Sequence, residues 1–189
     1  MANPIRFTFD RDKFKTVMQI LGRETSGLDV LKAVKLLYFI DRLHLRTYGR
    51  PVLGDFYVAM KLGPVPSHAY DELKRIQVDE APDLPLSSVD EGGKHRVFRA
   101  SVAPDLSLLS ATELSAVRSI IDDLGHLTGT ELSRRAHTHD TWLTNKPEEN
   151  EPPKRIDYER FFKEDHESCK HAFEAMLLEQ EERDFARGV

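Results

Sequence analysis

Several things are scarce in this sequence, and each shortage excludes a class of protein. Cys169 is the only cysteine in 189 residues. No internal disulfide framework is possible, and a reducing cytoplasm is the simple expectation. No apolar run approaches the roughly 20 residues needed to cross a bilayer. The opening MANPIRFTFDRDKFK lacks the apolar stretch and small-residue cleavage site of a secretory signal. A nucleophile elbow, a P-loop, a Gly-x-Gly-x-x-Gly turn and a His-Glu-x-x-His pair are all missing. Excess positive charge is missing too. The formal net charge is −5 and the pI is about 5.9, which argues against a general nucleic-acid binder.

What remains is the composition of one folded domain. Hydrophobic residues make up 40% and charged residues 31%, enough to bury a core without staples. The charge is unevenly spread. Residues 1–50 carry 10 Lys and Arg against 5 Asp and Glu, whereas residues 148–189 carry 7 against 13. The acidic end suits a basic partner, and it reads equally well as a solvated surface.

Helix signals dominate the chain. Asp10 caps a first helix with Phe14, Val17, Met18 and Leu21 at helical spacing. A second runs from Leu28 or Asp29 to Tyr48 and stops at Gly49. Its middle, Val34 to Leu45, is apolar nearly all round, so it should be the central helix. Lys32 marks its polar start, and Lys35, Arg42 and Arg46, with Arg50, are expected to snorkel around it. A short extended segment at 54–61 leads to Gly63-Pro64-Val65-Pro66. Both prolines favour extended geometry before them, and Pro66 is expected in the first turn of a third helix, 67–77. Pro82 and Pro85 mark a loop. The runs 86–90 and 96–102 flank Gly92-Gly93 as a hairpin. Two capping boxes, Ser110-x-x-Glu113 and Thr128-x-x-Glu131, open further helices. Residues 145–154 read as a loop, Asp157 as a helix cap, and 167–185 as a last helix. The fold class is α+β, mainly α: a compact helical domain around one buried helix, with a small β-hairpin or sheet.

Residues that bear chemistry are few. Cys169 has acidic neighbours (Glu164, Asp165, Glu167, Glu174), which disfavour a reactive thiolate. His137, His139 and Asp140, and His166, Cys169 and His171, are the only local metal-type groupings, and neither has a standard ligand spacing. His137 and His139 are expected to cap a helix end instead. The pairs Asp71-Glu72, Asp79-Glu80 and Asp122-Asp123 are adjacent in sequence and read as surface charge. No catalytic residue, metal ligand or cofactor is assigned.

The run from Lys35 to Leu45 (KLLYFIDRLHL), with Tyr48-Gly49-Arg50-Pro51, Gly54-Asp55, Tyr57 to Lys61, Gly63 to Ser67 and Tyr70-Asp71, closely resembles the Panacea domain of SocA-like antitoxins. The Leu109–Gly125 helix and the segment Glu131-Leu132-Ser133 through His137 to Trp142 are similar as well. The resemblance spans roughly 10–160 and divides the chain into a Panacea-like domain, 1–155, and an acidic helical extension, 156–189, packing on it. It implies a bacterial cytoplasmic antitoxin that neutralises a cognate toxin by direct binding. An adaptor role, delivering that toxin to a Clp-type protease, is one form it allows; a homodimer is another open possibility. The expected contact residues are Met60, Lys61, Val65, His68 and Tyr70, at the proline-stiffened corner. The alternatives are a phage or mobile-element interaction protein, or a DNA-binding regulator. The latter would use the basic N-terminal region and a wing of Lys94, His95, Arg96 and Arg99.

Overall fold

The computed structural model describes residues 5–81, 83–84, 86–90, 96–149, 151–164 and 166–187. Helix α1 spans Arg11–Glu24, and the Asp10 carboxylate accepts from the amides of Asp12 and Lys13 at its start. Helix α2 spans Val30–Tyr48. The Asp29 side chain accepts from Lys32 N at 2.7 Å, and Gly49 closes the helix in the left-handed region, with φ of +76°. Val34, Leu36, Leu37, Tyr38, Phe39, Ile40 and Leu45 are buried, Leu43 is partly buried, and Tyr48 at the end of the helix is exposed. A helix apolar on every side must be enclosed by protein, and α2 is the central rod.

Strand β1 (Tyr57–Met60) pairs antiparallel with β2 (Gly63–Pro66), Met60 opposite Gly63 and Tyr57 opposite Pro66. Ser67 N donates to Phe56 O just beyond the ladder. In that register Gly63, Val65 and Ser67 face β1, while the nitrogens of Pro64 and Pro66 point outward, where no donor is needed. The other side of β1 is taken by β5 (Lys154–Ile156), giving the order β2-β1-β5. A strand at 154–156 replaces the end of the expected loop, because Ile156 sits opposite Tyr57 and is itself buried.

Helix α3 covers Ser67–Gln77, with Pro66 at its N-cap rather than in its first turn. Proline cannot cap. The cap comes from afar: Asp55 accepts from His68 N at 3.0 Å and Ala69 N at 2.8 Å. The hairpin of β3 (Leu86–Asp90) and β4 (Arg96–Ala100) forms as expected; its Gly-Gly turn, Lys94 and His95, like Pro82 and Pro85, lie outside the described residues. Helices α4 (Ala111–Leu124) and α5 (Gly129–Ala136) each begin with a complete capping box. A short α6 spans Asp140–Leu143. After β5 comes a 3₁₀ turn, Tyr158–Phe162, to which Asp157 contributes no side-chain cap. Another 3₁₀ turn, His166–Cys169, leads into α7 (Lys170–Arg187), and one at Leu106–Leu108 precedes α4.

One apolar cluster runs through Phe14, Leu37, Tyr57, Phe98, Val117, Phe161, Phe162 and Met176. The last three lie beyond residue 155. Burying two Phe and one Met contributes roughly 5–9 kcal/mol of hydrophobic free energy, comparable to the whole net stability of a domain. Ile156, Tyr158, Phe161, Phe162, Cys169, Ala172 and Met176 are therefore part of the core.

Gly49 is where α2 meets α7. A Cβ there would lie 2.6 Å from Ala172 O and 2.9 Å from Met176 N, and φ of +76° disfavours any side chain. Gly49→Ala is expected to cost about 2 kcal/mol or more, read as a lowered urea midpoint, with earlier proteolysis of α7 than in the parent chain.

Candidate partner-binding site

In the segment carrying the family resemblance, three of the buried ionisable groups, Lys35, Asp41 and Asp55, are committed to the chain itself. Asp41, fully buried on α2, accepts from Val52 N (2.9 Å), Leu53 N (2.8 Å) and the Tyr57 hydroxyl (2.9 Å). Lys35, also fully buried, donates to Pro64 O at 2.7 Å. Asp55 holds α3 as described, and its backbone carbonyl accepts from the Tyr158 hydroxyl. Asp41 thus fixes the link after α2, Lys35 fixes β2 and Asp55 fixes the helix beyond it. Gly63, with φ of +105°, makes room for the lysine: a Cβ there would stand 3.0 Å from Lys35 Nζ.

Burial disfavours charge on both α2 groups. It pushes the Asp41 carboxyl up to about 7 and the Lys35 ammonium down to about 7. The basic residues of α2 do not snorkel. Lys32 donates to Ser26 O and Gly125 O, Arg42 to Glu164, and Arg46 to Phe161 O and Glu164 O. Their long stems reach sideways to other elements because α2 has little water to reach for.

The two histidines after α5 also depart from expectation. His139 Nδ1 meets the Tyr38 hydroxyl at 2.8 Å, and that hydroxyl meets Thr141 Oγ1 at 2.7 Å. Burial, with Arg42 and Arg46 nearby, drives His139 down to about 3, so its ring is neutral at pH 7. His137 stacks on Trp142 with centroids 3.8 Å apart. Neither ring donates to a helix carbonyl, since both face the core side of the turn. Among the acidic pairs, Glu72 is drawn inward and holds Arg11 of α1 at 2.7 Å. Cys169 is buried and His171 is exposed beside Glu174. Among the described residues, no three His, Cys, Asp or Glu side chains are grouped to hold a metal, and no helix is long and apolar enough to cross a membrane.

The five expected contact residues fall into two places. Met60 and Lys61 sit at the hairpin tip, beside Pro147, Glu148, Glu149, Glu151 and Pro153, around a cleft of about 610 Å³. The tip is pinned from below: Trp142 Nε1 donates to Met60 O at 2.8 Å and Ser133 Oγ to Leu62 O at 2.6 Å. Leu62 itself is exposed. His68 and Tyr70 lie at the far end of β2, on α3. The His68 side chain is 54% exposed, yet its Nδ1 is 2.8 Å from Asp55 and its ring stacks on Phe9 at 5.3 Å. Tyr70 is half-buried under Lys74 Nζ, 4.6 Å from its ring centre. Val65 is only 5% exposed and belongs to the core, so it has almost no surface to offer. The glutamates of 148–151 were not foreseen, because nothing local links them to residue 61. In the β3–β4 hairpin, Arg96 is engaged with Ser88.

A family model described as antitoxin SocA-like, Panacea domain, matches residues 34–143, more than half of the chain, and the chain belongs to that family. An antitoxin role follows at that level. Among curated proteins and solved structures none matches the chain. The matched segment begins one residue before Lys35 and ends with α6, so it contains the whole lock of Lys35, Asp41, Asp55, Tyr57 and Gly63–Pro66. It leaves α1, β5, the 3₁₀ turns Tyr158–Phe162 and His166–Cys169, and α7 outside.

Two substitutions test the lock. Asp41→Asn keeps an oxygen for Val52 and Leu53 but does not titrate. The folded carboxyl, near 7 against an ordinary 3.8, keeps its proton where the unfolded one has lost it. Relative to this variant, the parent is therefore expected to lose stability as pH rises from about 4 to about 7. Lys35→Met gives the opposite window. The folded amine near 7, against 10.5, means that the parent gains stability over this variant as pH rises from about 7 to about 10. Urea midpoints across pH read both slopes.

Proposed function

We propose that the chain neutralises a cognate toxin by binding it directly, with the hairpin tip (Met60, Lys61) and the start of α3 (His68, Tyr70) as contact residues. Membership of the SocA-like family supports the antitoxin role. The binding mechanism is supported by one observation: Lys35, Asp41 and Asp55, all buried within the matched segment, bond to the protein's own backbone and side chains. They build a stiff platform. His68 is presented to solvent but already ordered by Asp55 and Phe9, so engaging it costs little side-chain entropy. The setting is the cytoplasm, as the single buried cysteine suggests. In the adaptor form of this reading, the bound toxin is handed to a Clp-type protease.

Co-expression with the product of the adjoining open reading frame is the test. That product is expected to arrest growth alone and to be harmless beside this chain. Rescue that persists in a strain lacking Clp-type proteases indicates sequestration, and rescue lost there indicates delivery. Growth arrest unrelieved by the chain contradicts the proposal. Within the surface, Lys61→Glu is expected to weaken binding about tenfold or more, as for contacts near the centre of an interface, with the urea midpoint unchanged.

A further inference from the structure

We propose that the outward face of α7 is a second docking surface, and that it takes a cationic amphipathic segment of the partner protein. This rests on the antitoxin reading and extends it to how one partner is selected.

Helix α7 has two faces with different duties. Its inner face, Ala172, Met176 and Gln180, is buried, and Gly49 at the end of α2 lies against the backbone of Ala172 and Met176. Gln180 also accepts from Arg6 N and donates to Asp184. That face accounts for the attachment of the helix. The outer face carries Leu178, 60% exposed, and Phe185, 88% exposed. Seven residues apart, they stand on one line, roughly 10 Å from each other along the axis. Isolated surface hydrophobics need no explanation, but a pair at i and i+7 is the anchor spacing by which helical surfaces engage a partner.

The charge around the pair sets the sign of the occupant. Glu174, Glu181 and Glu182 are exposed on this side. Glu174 has only His171, at 3.7 Å; among the described residues Glu181 and Glu182 pair with no cation. Arg183, the nearest positive group in sequence, turns away over the Phe7 ring at 4.8 Å and towards Glu179. Apolar anchors flanked by unpaired carboxylates complement a segment with apolar residues on one side and Lys or Arg beside them, and repel an acidic one. The position of α7 in the chain fits a selecting role: it lies outside the 34–143 match, while the lock lies inside it.

Two full-chain double variants test this, Leu178→Ser with Phe185→Ser, and Glu181→Lys with Glu182→Lys. Both change exposed groups, so thermal midpoints should stay within about 2 °C of the parent. The probe is the product of the adjoining open reading frame, used in co-expression and in titration with purified proteins. Both variants are expected to lose protection and to raise Kd tenfold or more. The parent's affinity should fall with added salt, and that of the charge-reversed variant should not. Protection and Kd within twofold of the parent in both variants overturn the inference and leave the antitoxin reading standing. A parent that itself gives no protection overturns both. Sedimentation showing a self-associating parent and monomeric variants would assign the face to a second copy of this chain, which also overturns it.

Discussion

A carboxylate with no access to water sets the terms for the rest of this structure. Taking a charge out of water costs several kcal/mol unless close hydrogen bonds replace the solvent, and Asp41 obtains three, from two consecutive amides and a tyrosine hydroxyl. Those amides belong to Val52 and Leu53, in the stretch that carries the chain away from α2. Once they are held, β1 must start where it does. Lys35 is six residues earlier, about 120° around the helix, and grips β2 on another side. The rod therefore organises the sheet through two polar contacts embedded in apolar packing, and Asp55 passes the same constraint on to α3. Removing a partner from such a network leaves buried donors unsatisfied, at about 1–3 kcal/mol each.

How much of this was legible follows the range of the interactions. Local chemistry read well: Asp10 as a cap, Gly49 as a stop, both capping boxes, and α2 as a central rod. Each depends on residues within about four positions of one another. The long-range contacts did not read. Nothing near Pro66 announces that Asp55 will cap the next helix across twelve intervening residues. Ile156 becomes a strand residue only because β1 has a free edge. The charges on α2 look like snorkelling groups in isolation, and become cross-links once the end of α4, the 3₁₀ turn with Glu164, and β2 surround them.

The candidate site divides in the same way. The prolines at 64 and 66 marked extended backbone, which forms β2, but periodicity alone did not reveal that Val65 points inward between them. Nor did it show that the hairpin separates Met60 and Lys61 from His68 and Tyr70. The acidic loop beside Lys61 and the outward line on α7 arise from tertiary placement. The resulting division of labour is physical. Lys35, Asp41 and Asp55, buried within the family segment, hold the scaffold, and on the proposed reading the exposed side chains at its margins meet a partner.

The most direct measurement is amide hydrogen exchange on the free protein. Val52 and Leu53 lie outside any helix or strand, and loop amides ordinarily exchange through small local openings. If Asp41 is the constraint on which the fold depends, these two amides exchange only through global unfolding, at rates matching the interior of α2. Exchange as fast as that of the exposed residues around Glu148 would contradict the account.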